Sequence, residues 1–219
     1  MRTAYSATLQ SDALWQVTRA HEVTKSRSHE EIVRAALACA TEQGWESTSL
    51  EAVRRRAGVS NGSLFHHFPT RDALARTVVA AGLAGHQAAL TAELHAATDS
   101  RHGVTHVVIR HLEWMQDHQS LARLFLSTSA TTLRSGLDTA AVAGNRAFFQ
   151  DVTSWLREHG WTGSPDLAVM LALWIGPAQE YARRCLETAA GRLDDATDHL
   201  AAGAWRALKP LLNEPKENP

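Results

Sequence analysis

The sequence predicts an all-α chain in two parts: an N-terminal three-helix unit built on a helix-turn-helix, then a longer helical region. Alanine and leucine recur at helical spacing along almost the whole chain. Alternation of β-branched with polar residues is nearly absent, and no Asn-Gly hairpin joins two such runs. The third observation is local. Ala57-Gly58-Val59-Ser60 has the composition of a tight turn between two short amphipathic helices.

Taken in order, residues 1–27 read as an extension. Ser11-Asp12 would cap a short helix reaching His21, and a frayed end fits equally. A helix is expected over 28–43, with Ser28 and Glu31 as a capping box, a face of Ile32, Ala35, Ala36, Cys39 and Ala40, and Gly44 as its stop. Two short helices follow, about 50–57 and 61–68, and Thr70-Arg71-Asp72 opens a long Ala-rich helix to about His95. Asp99 to Gly103 reads as a break, with apolar helices after it over 104–118 and 120–129 and a looser stretch at 131–136. Helical spacing resumes over 140–159 and stops at Gly160. Ser164-Pro165-Asp166 starts a helix expected to run from 167 to 190, and a last helix covers 193–208. The expected domains are therefore the extension 1–27, a helix-turn-helix domain at 28–79, a helical domain at 80–213 and a polar tail at 214–219.

Lysine and arginine number 22 against 23 aspartates and glutamates, for a net charge of -1, so bulk basicity does not point to nucleic acid. A DNA reading must rest on where charge is placed. Cys39 and Cys185 form no CxxC unit and sit in apolar runs, as buried thiols of a reducing compartment do. No secretion signal opens the chain, and the longest apolar run, Leu167 to Ile175, is too short to span a bilayer. A soluble, cytoplasmic protein is expected.

The stretch TSLEAVRRRAGVSNGSLFHHFPTRDAL, Thr48 to Leu74, carries the chemistry. Thr48 or Ser49 caps the first helix, whose apolar positions are Leu50, Val53 and Ala57. Gly58 supplies the left-handed turn, Val59 the wedge between the helices, and Ser60 the cap of the second helix. Leu64 and Phe68, four apart, face the core and leave Asn61, Ser63, His66 and His67 to point elsewhere. Short donors at a helix N-terminus suit a DNA groove, where side chains read base edges and backbone amides meet phosphates. Arg54, Arg55 and Arg56 form a local positive cluster and Arg71 adds another charge, while Lys25 and Arg27 would reach a minor groove.

On these residues, the segment from Ser28 to about Val79 resembles the DNA-binding domain of TetR-like (TetR/AcrR) transcriptional regulators. The AGVS turn, the GSLFHHF helix and the basic residue soon after the Phe stand at that family's spacing. The resemblance implies that Asn61 and His66 face bases and that Thr48, Ser63, His67 and Arg71 meet phosphates, with Ser49, Arg56, Ser60 and Phe65 completing the surface. Two positions depart from the family. Phe65 stands where a Tyr usually gives its hydroxyl to a phosphate, and Arg71 stands where Lys is usual.

Two signals point elsewhere. Gly58 to Gly62 fits the nucleophile-elbow pattern G-x-S-x-G, but that elbow needs a strand before it, and Leu50 to Arg56 is helix-like; no catalytic residue is expected. His102 and His106 have the spacing of a metal pair without an obvious third ligand, so no metal or cofactor is assigned. Asn61-Gly62-Ser63 fits a glycosylation sequon, which would matter only in a secretory compartment.

The C-terminal half collects large adaptable side chains, Trp114, Met115, Phe125, Phe148, Phe149, Trp155, Met170 and Trp174, near the polar His111, Asn145 and Gln179. Taken one by one they read as core. The family resemblance implies a pocket for a small, mostly apolar effector, lined by His111, Trp114, Met115, Phe125, Asn145, Phe148, Phe149, Met170 and Trp174. The Ala/Leu stripe of the last helix, with Leu200, Ala204 and Leu208, and the apolar Leu167, Leu171 and Tyr181 would pair across a two-fold axis as a four-helix dimer interface. The expected function is a dimeric, ligand-responsive repressor on a pseudo-palindromic DNA operator. An all-α enzyme using Ser60 or a histidine site, and a helical partner-binding module without DNA binding, are the competing readings.

Overall fold

In the computed structural model, residues 26–126, 138–188 and 193–212 are described. Lys25, the helix considered at 11–21, the looser stretch at 131–136 and the tail 214–219 lie outside them. Among the described residues the secondary structure is helical, without strands: α1 (Arg27–Gln43), α2 (Leu50–Ala57), α3 (Asn61–His67), α4 (Arg71–Ala96), α5 (Ser100–Asp117), α6 (Gln119–Leu126), α7 (Thr139–Glu158), α8 (Leu167–Trp174), α9 (Gly176–Thr188) and α10 (Thr197–Leu208), with 3-10 turns at Leu193–Ala196 and Lys209–Leu211. The all-α expectation is met. No helix among these residues is long and apolar enough to cross a membrane.

Three local expectations are corrected. The cap of α1 is Ser26, not Ser28: Ser26 Oγ accepts from the His29 N–H, while Glu31 bonds Arg27 instead of reaching back to close a capping box. Asp99–Gly103 is not a break to its end, because Asp99 Oδ1 accepts from the His102 N–H at 2.6 Å and α5 starts at Ser100. Gly103 then lies inside α5, where a β-carbon would run into the Trp155 ring. The expected helix over 167–190 is two helices, broken at Ile175 where Gly176-Pro177 opens α9, a position at which proline's missing N–H does no harm.

The chain forms two compact units. The first takes residues 26–85 with 117–126 and 138–144, and the second takes 86–116 with 145–188 and 193–212. In the first, α1 buries Ile32, Val33, Ala36, Leu37 and Ala40 and packs on both α2 and α6. Val53, Leu64, Phe68, Leu74, Val78 and Leu121 complete that core. Gly82 lets the Phe125 ring lie against α4, since an added β-carbon would sit 2.5 Å from it. In the second unit, Trp114, Leu112, Leu156, Met170 and Trp174 are buried, and Trp174 Nε1 donates to the Val104 carbonyl at 2.9 Å. Cys39 is buried, and that burial pushes its thiol up; Cys185 is only half-buried, less so than its apolar run predicts.

Candidate nucleic-acid interface

Each turn of the helix-turn-helix is specified by its own residues. Ser49 Oγ accepts from the Ala52 N–H and starts α2. Gly58 ends it at φ 67°, ψ 25°, a left-handed conformation that side chains with a β-carbon resist, and its N–H bonds the Arg54 and Arg55 carbonyls. Ser60 Oγ then accepts from the Ser63 N–H at 3.1 Å and starts α3, so the serine of the G-x-S-x-G pattern is a helix cap that follows a helix. Val53 and Leu64 are buried and hold the two helices to the core, while Val59 is half-buried.

The exposed face of α3 is Asn61, Gly62, Phe65 and His66, spaced i, i+1, i+4 and i+5. Phe65 is 51% exposed, which is unusual for so large an apolar ring. Ser63 is half-buried with its N–H on the cap. His67 is half-buried and its Nε2 lies 3.1 Å from Ser26 Oγ, which ties α3 to the start of α1. His29 sits behind it, with its ring 4.9 Å from Phe68.

Several residues expected on the surface hold the scaffold. The Thr48 hydroxyl is buried and donates to the Gly44 carbonyl at 2.8 Å. Arg71 donates to the Trp45 carbonyl at 2.6 Å and the Thr48 carbonyl at 3.3 Å, with its guanidinium 4.9 Å over the Trp45 ring. Arg56 makes a two-pronged pair with Glu42, and Arg54 makes one with Glu51. Arg55 lies 3.7 Å from the same Glu51 carboxylate, and Arg27 pairs with Glu31 with its side chain 91% exposed. The positive cluster is thus largely balanced by carboxylates. Sequence reasoning missed Gly62, Trp45 and His29; for Trp45 the signal was an aromatic directly after the stop glycine.

In the second unit His111, Trp114, Met115, Met170 and Trp174 are buried, and Asn145, Phe148 and Phe149 are half-buried on one face of α7. Phe125 is buried in the first unit. Of the residues expected at a dimer interface, Ala204 and Leu208 are buried inside the protomer, where α10 packs on α8, and Leu167, Leu171, Tyr181 and Leu200 are half-buried. The large exposed apolar side chains of α8 are instead Val169 and Leu173, at 43% and 38%. His102 and His106 stack face to face with centroids 3.9 Å apart, so their nitrogens do not converge, and among the described residues no group of three ligands could hold a metal ion.

Residues 32–78 match the family model described as bacterial regulatory proteins, tetR family. Among solved structures, the chain is similar to a protein described as a TetR-family transcriptional regulator from Mesorhizobium loti, at 21% identity over 86% of this chain and 100% of that one, with a TM-score of 0.61. It is also similar to the fatty acid degradation regulator FadR of Bacillus halodurans, at 15% identity over 83% and 96%, TM-score 0.62. FadR of Bacillus subtilis, solved in complex with stearoyl-CoA, matches at 14% identity over 80% and 96%, TM-score 0.61. No curated protein matches the chain by sequence. The fold and the turn define an all-helical protein with a helix-turn-helix near its N-terminus. More particularly, the chain carries a TetR-type N-terminal domain and has the fold of TetR-family transcriptional regulators.

Proposed function

We propose that this chain is a ligand-responsive transcriptional regulator that binds a pseudo-palindromic DNA operator as a homodimer and leaves it when a small, mostly apolar effector binds. The observation that carries the DNA reading is the bare face of α3: Asn61, Gly62, Phe65 and His66 stand exposed on a helix whose other face is fixed by Leu64, Phe68 and the Ser60 cap. Gly62 strengthens it. A β-carbon there would meet nothing closer than Ser60 Oγ at 3.8 Å, so the protomer gives no reason to accept the roughly 1 kcal/mol that an exposed helical glycine costs. A DNA backbone pressed against the helix N-terminus supplies one.

Asn61 and His66 are assigned to base edges, and the α3 amides with Ser63 to phosphate. Phe65 replaces a hydroxyl contact by apolar packing, with the methyl group of a thymine as a fitting partner. Two-fold pairing through Val169, Leu173 and the half-buried Leu167, Leu171, Tyr181 and Leu200 would set two such helices on successive major grooves. The effector reading is supported by the buried and half-buried aromatic and Met side chains of the unit that also holds His111 and Asn145, and by the likeness to a fold that, in Bacillus subtilis FadR, was solved with stearoyl-CoA. α4 runs unbroken from Arg71 to Ala96 and contributes to both units, and a shift of its population between two positions would couple them.

Fluorescence anisotropy with DNA flanking the protein's own gene tests this. Asn61→Ala and His66→Ala are expected to weaken binding about 5- to 100-fold on the preferred site and to change the preferred bases. Equal losses on all sequences would remove both residues from base reading, and no binding at all by the wild type would remove the DNA reading.

A further inference from the structure

We propose that His111 Nε2 is the polar anchor of the effector site, taking one hydroxyl or carbonyl oxygen of an otherwise apolar, uncharged molecule. The proposal rests on the ligand-responsive reading above and adds the chemistry of the ligand.

His111 is 1% exposed, in the middle of α5. Its Nδ1 lies 3.0 Å from His86 Nε2, but its Nε2 is buried and meets no protein partner. Such an atom is costly, because it has lost water and gained nothing in return. Trp114, Met115, Met170 and Trp174 are buried in the same unit. A phenylalanine or leucine would fill position 111 without that cost, so packing does not account for the imidazole.

The ring is also held in place. His86 bonds its Nδ1, and the His86 ring in turn packs edge-on against Trp114, with centroids 5.0 Å apart. The 1,3 arrangement of imidazole nitrogens then turns Nε2 away from His86. One residue along α4, Gln87 Nε2 donates to Asn145 Oδ1 at 2.7 Å, which ties α7 at Asn145 to α4. Phe148 and Phe149, three and four residues on, lie on the same face as Asn145 and are half-buried. The result is a buried hydrogen-bonding atom without a protein partner, in a unit whose core is rich in aromatic and methionine side chains.

Chemistry restricts what that atom accepts. Burial holds His111 neutral, at about 4, so the site offers no standing positive charge to a carboxylate or phosphate. If His86 donates to Nδ1, His111 presents an N–H to a carbonyl or hydroxyl oxygen. If His111 donates to His86, Nε2 is a lone pair for a hydroxyl. A hydroxyl fits both tautomers and a carbonyl fits one.

The test uses the full-length protein and four chain-matched probes: nonan-2-ol, nonan-2-one, nonanoate and nonane, followed by quenching of tryptophan fluorescence. The alcohol or the ketone is expected to bind at least about tenfold tighter than nonane and than nonanoate. In His111→Phe that preference should vanish while nonane binding persists. Because that variant leaves His86 Nε2 without its partner, a second readout uses the wild type: the His111 Nε2 resonance in a histidine-labelled sample should move on adding nonan-2-ol. Equal affinity for nonane and the oxygenated probes, a preference that survives in His111→Phe, or an unmoved Nε2 resonance would each overturn the proposal. Operator binding, measured in parallel, separates this from the wider reading. Oxygen-selective binding that leaves DNA affinity unchanged upholds the site and sinks the ligand response, whereas release of DNA by nonane as readily as by nonan-2-ol overturns the anchor alone.

Discussion

Arg71 illustrates how a side chain's duty follows from the carbonyls around it. The family resemblance implies a phosphate contact for it, yet its guanidinium bonds the Trp45 and Thr48 carbonyls and lies over the Trp45 ring. Arg71→Ala should therefore lower the stability of the first unit by about 1–3 kcal/mol, and Arg71→Lys should not restore it, because an ammonium cannot span both carbonyls. Thermal unfolding decides the matter. An unchanged Tm with a reduced salt slope of DNA binding would return Arg71 to the phosphates. His111 carries the second prediction at this scale. Its pKa falls from an ordinary 6.5 to about 4 through burial, so between those values the unfolded chain binds more protons than the folded one. Stability from this group is complete above about pH 6.5 and is lost as pH falls toward about 4, by roughly 3 kcal/mol in all. Urea midpoints across that range should drop less steeply for His111→Phe than for the wild type.

At the scale of the helix, what was legible was what is local. The α2–turn–α3 segment is set by a cap, a left-handed glycine and an i, i+4 apolar pair, all within a dozen residues, and each could be read from the sequence. Gly103 could not. As a helix breaker and as a seat for an aromatic ring a glycine looks the same, and the ring that decides, Trp155, lies on another helix. The same limit hid the His86–His111 and Gln87–Asn145 bonds, whose partners are 25 and 58 residues apart. Gly103→Ala follows from this: the added methyl group must displace the Trp155 ring, for a loss of about 1–3 kcal/mol, where a true loop glycine would tolerate it. A Tm within a degree of wild type would show that Trp155 yields freely. Helical periodicity found the apolar positions of α10, but periodicity alone does not say which side of a doubly apolar helix its own chain covers, and Ala204 and Leu208 prove to be covered.

For the whole molecule, the proposed dimer depends on side chains that a single protomer leaves in water. Val169→Asp with Leu173→Asp puts two charges on the exposed face of α8 without touching its buried Met170 and Trp174. The pair should yield folded monomers with unchanged helical circular dichroism and operator affinity lower by at least about 100-fold, read by sedimentation and anisotropy. A variant that stays dimeric would move the interface off α8.

The carboxylates that hold Arg54 and Arg56 have a further effect, on how such a protein finds its site. On the proposed function, a phosphate would have to displace Glu51 or Glu42 before either guanidinium could serve DNA, so arbitrary sequence would gain little from those arginines and release few counterions. In the proposed regulator, encounters with the wrong sequence would then be brief and one-dimensional sliding short, with the search proceeding mostly by release and recapture. Little of its time would be lost to decoy DNA, and binding would be left to depend on the match between α3 and its groove.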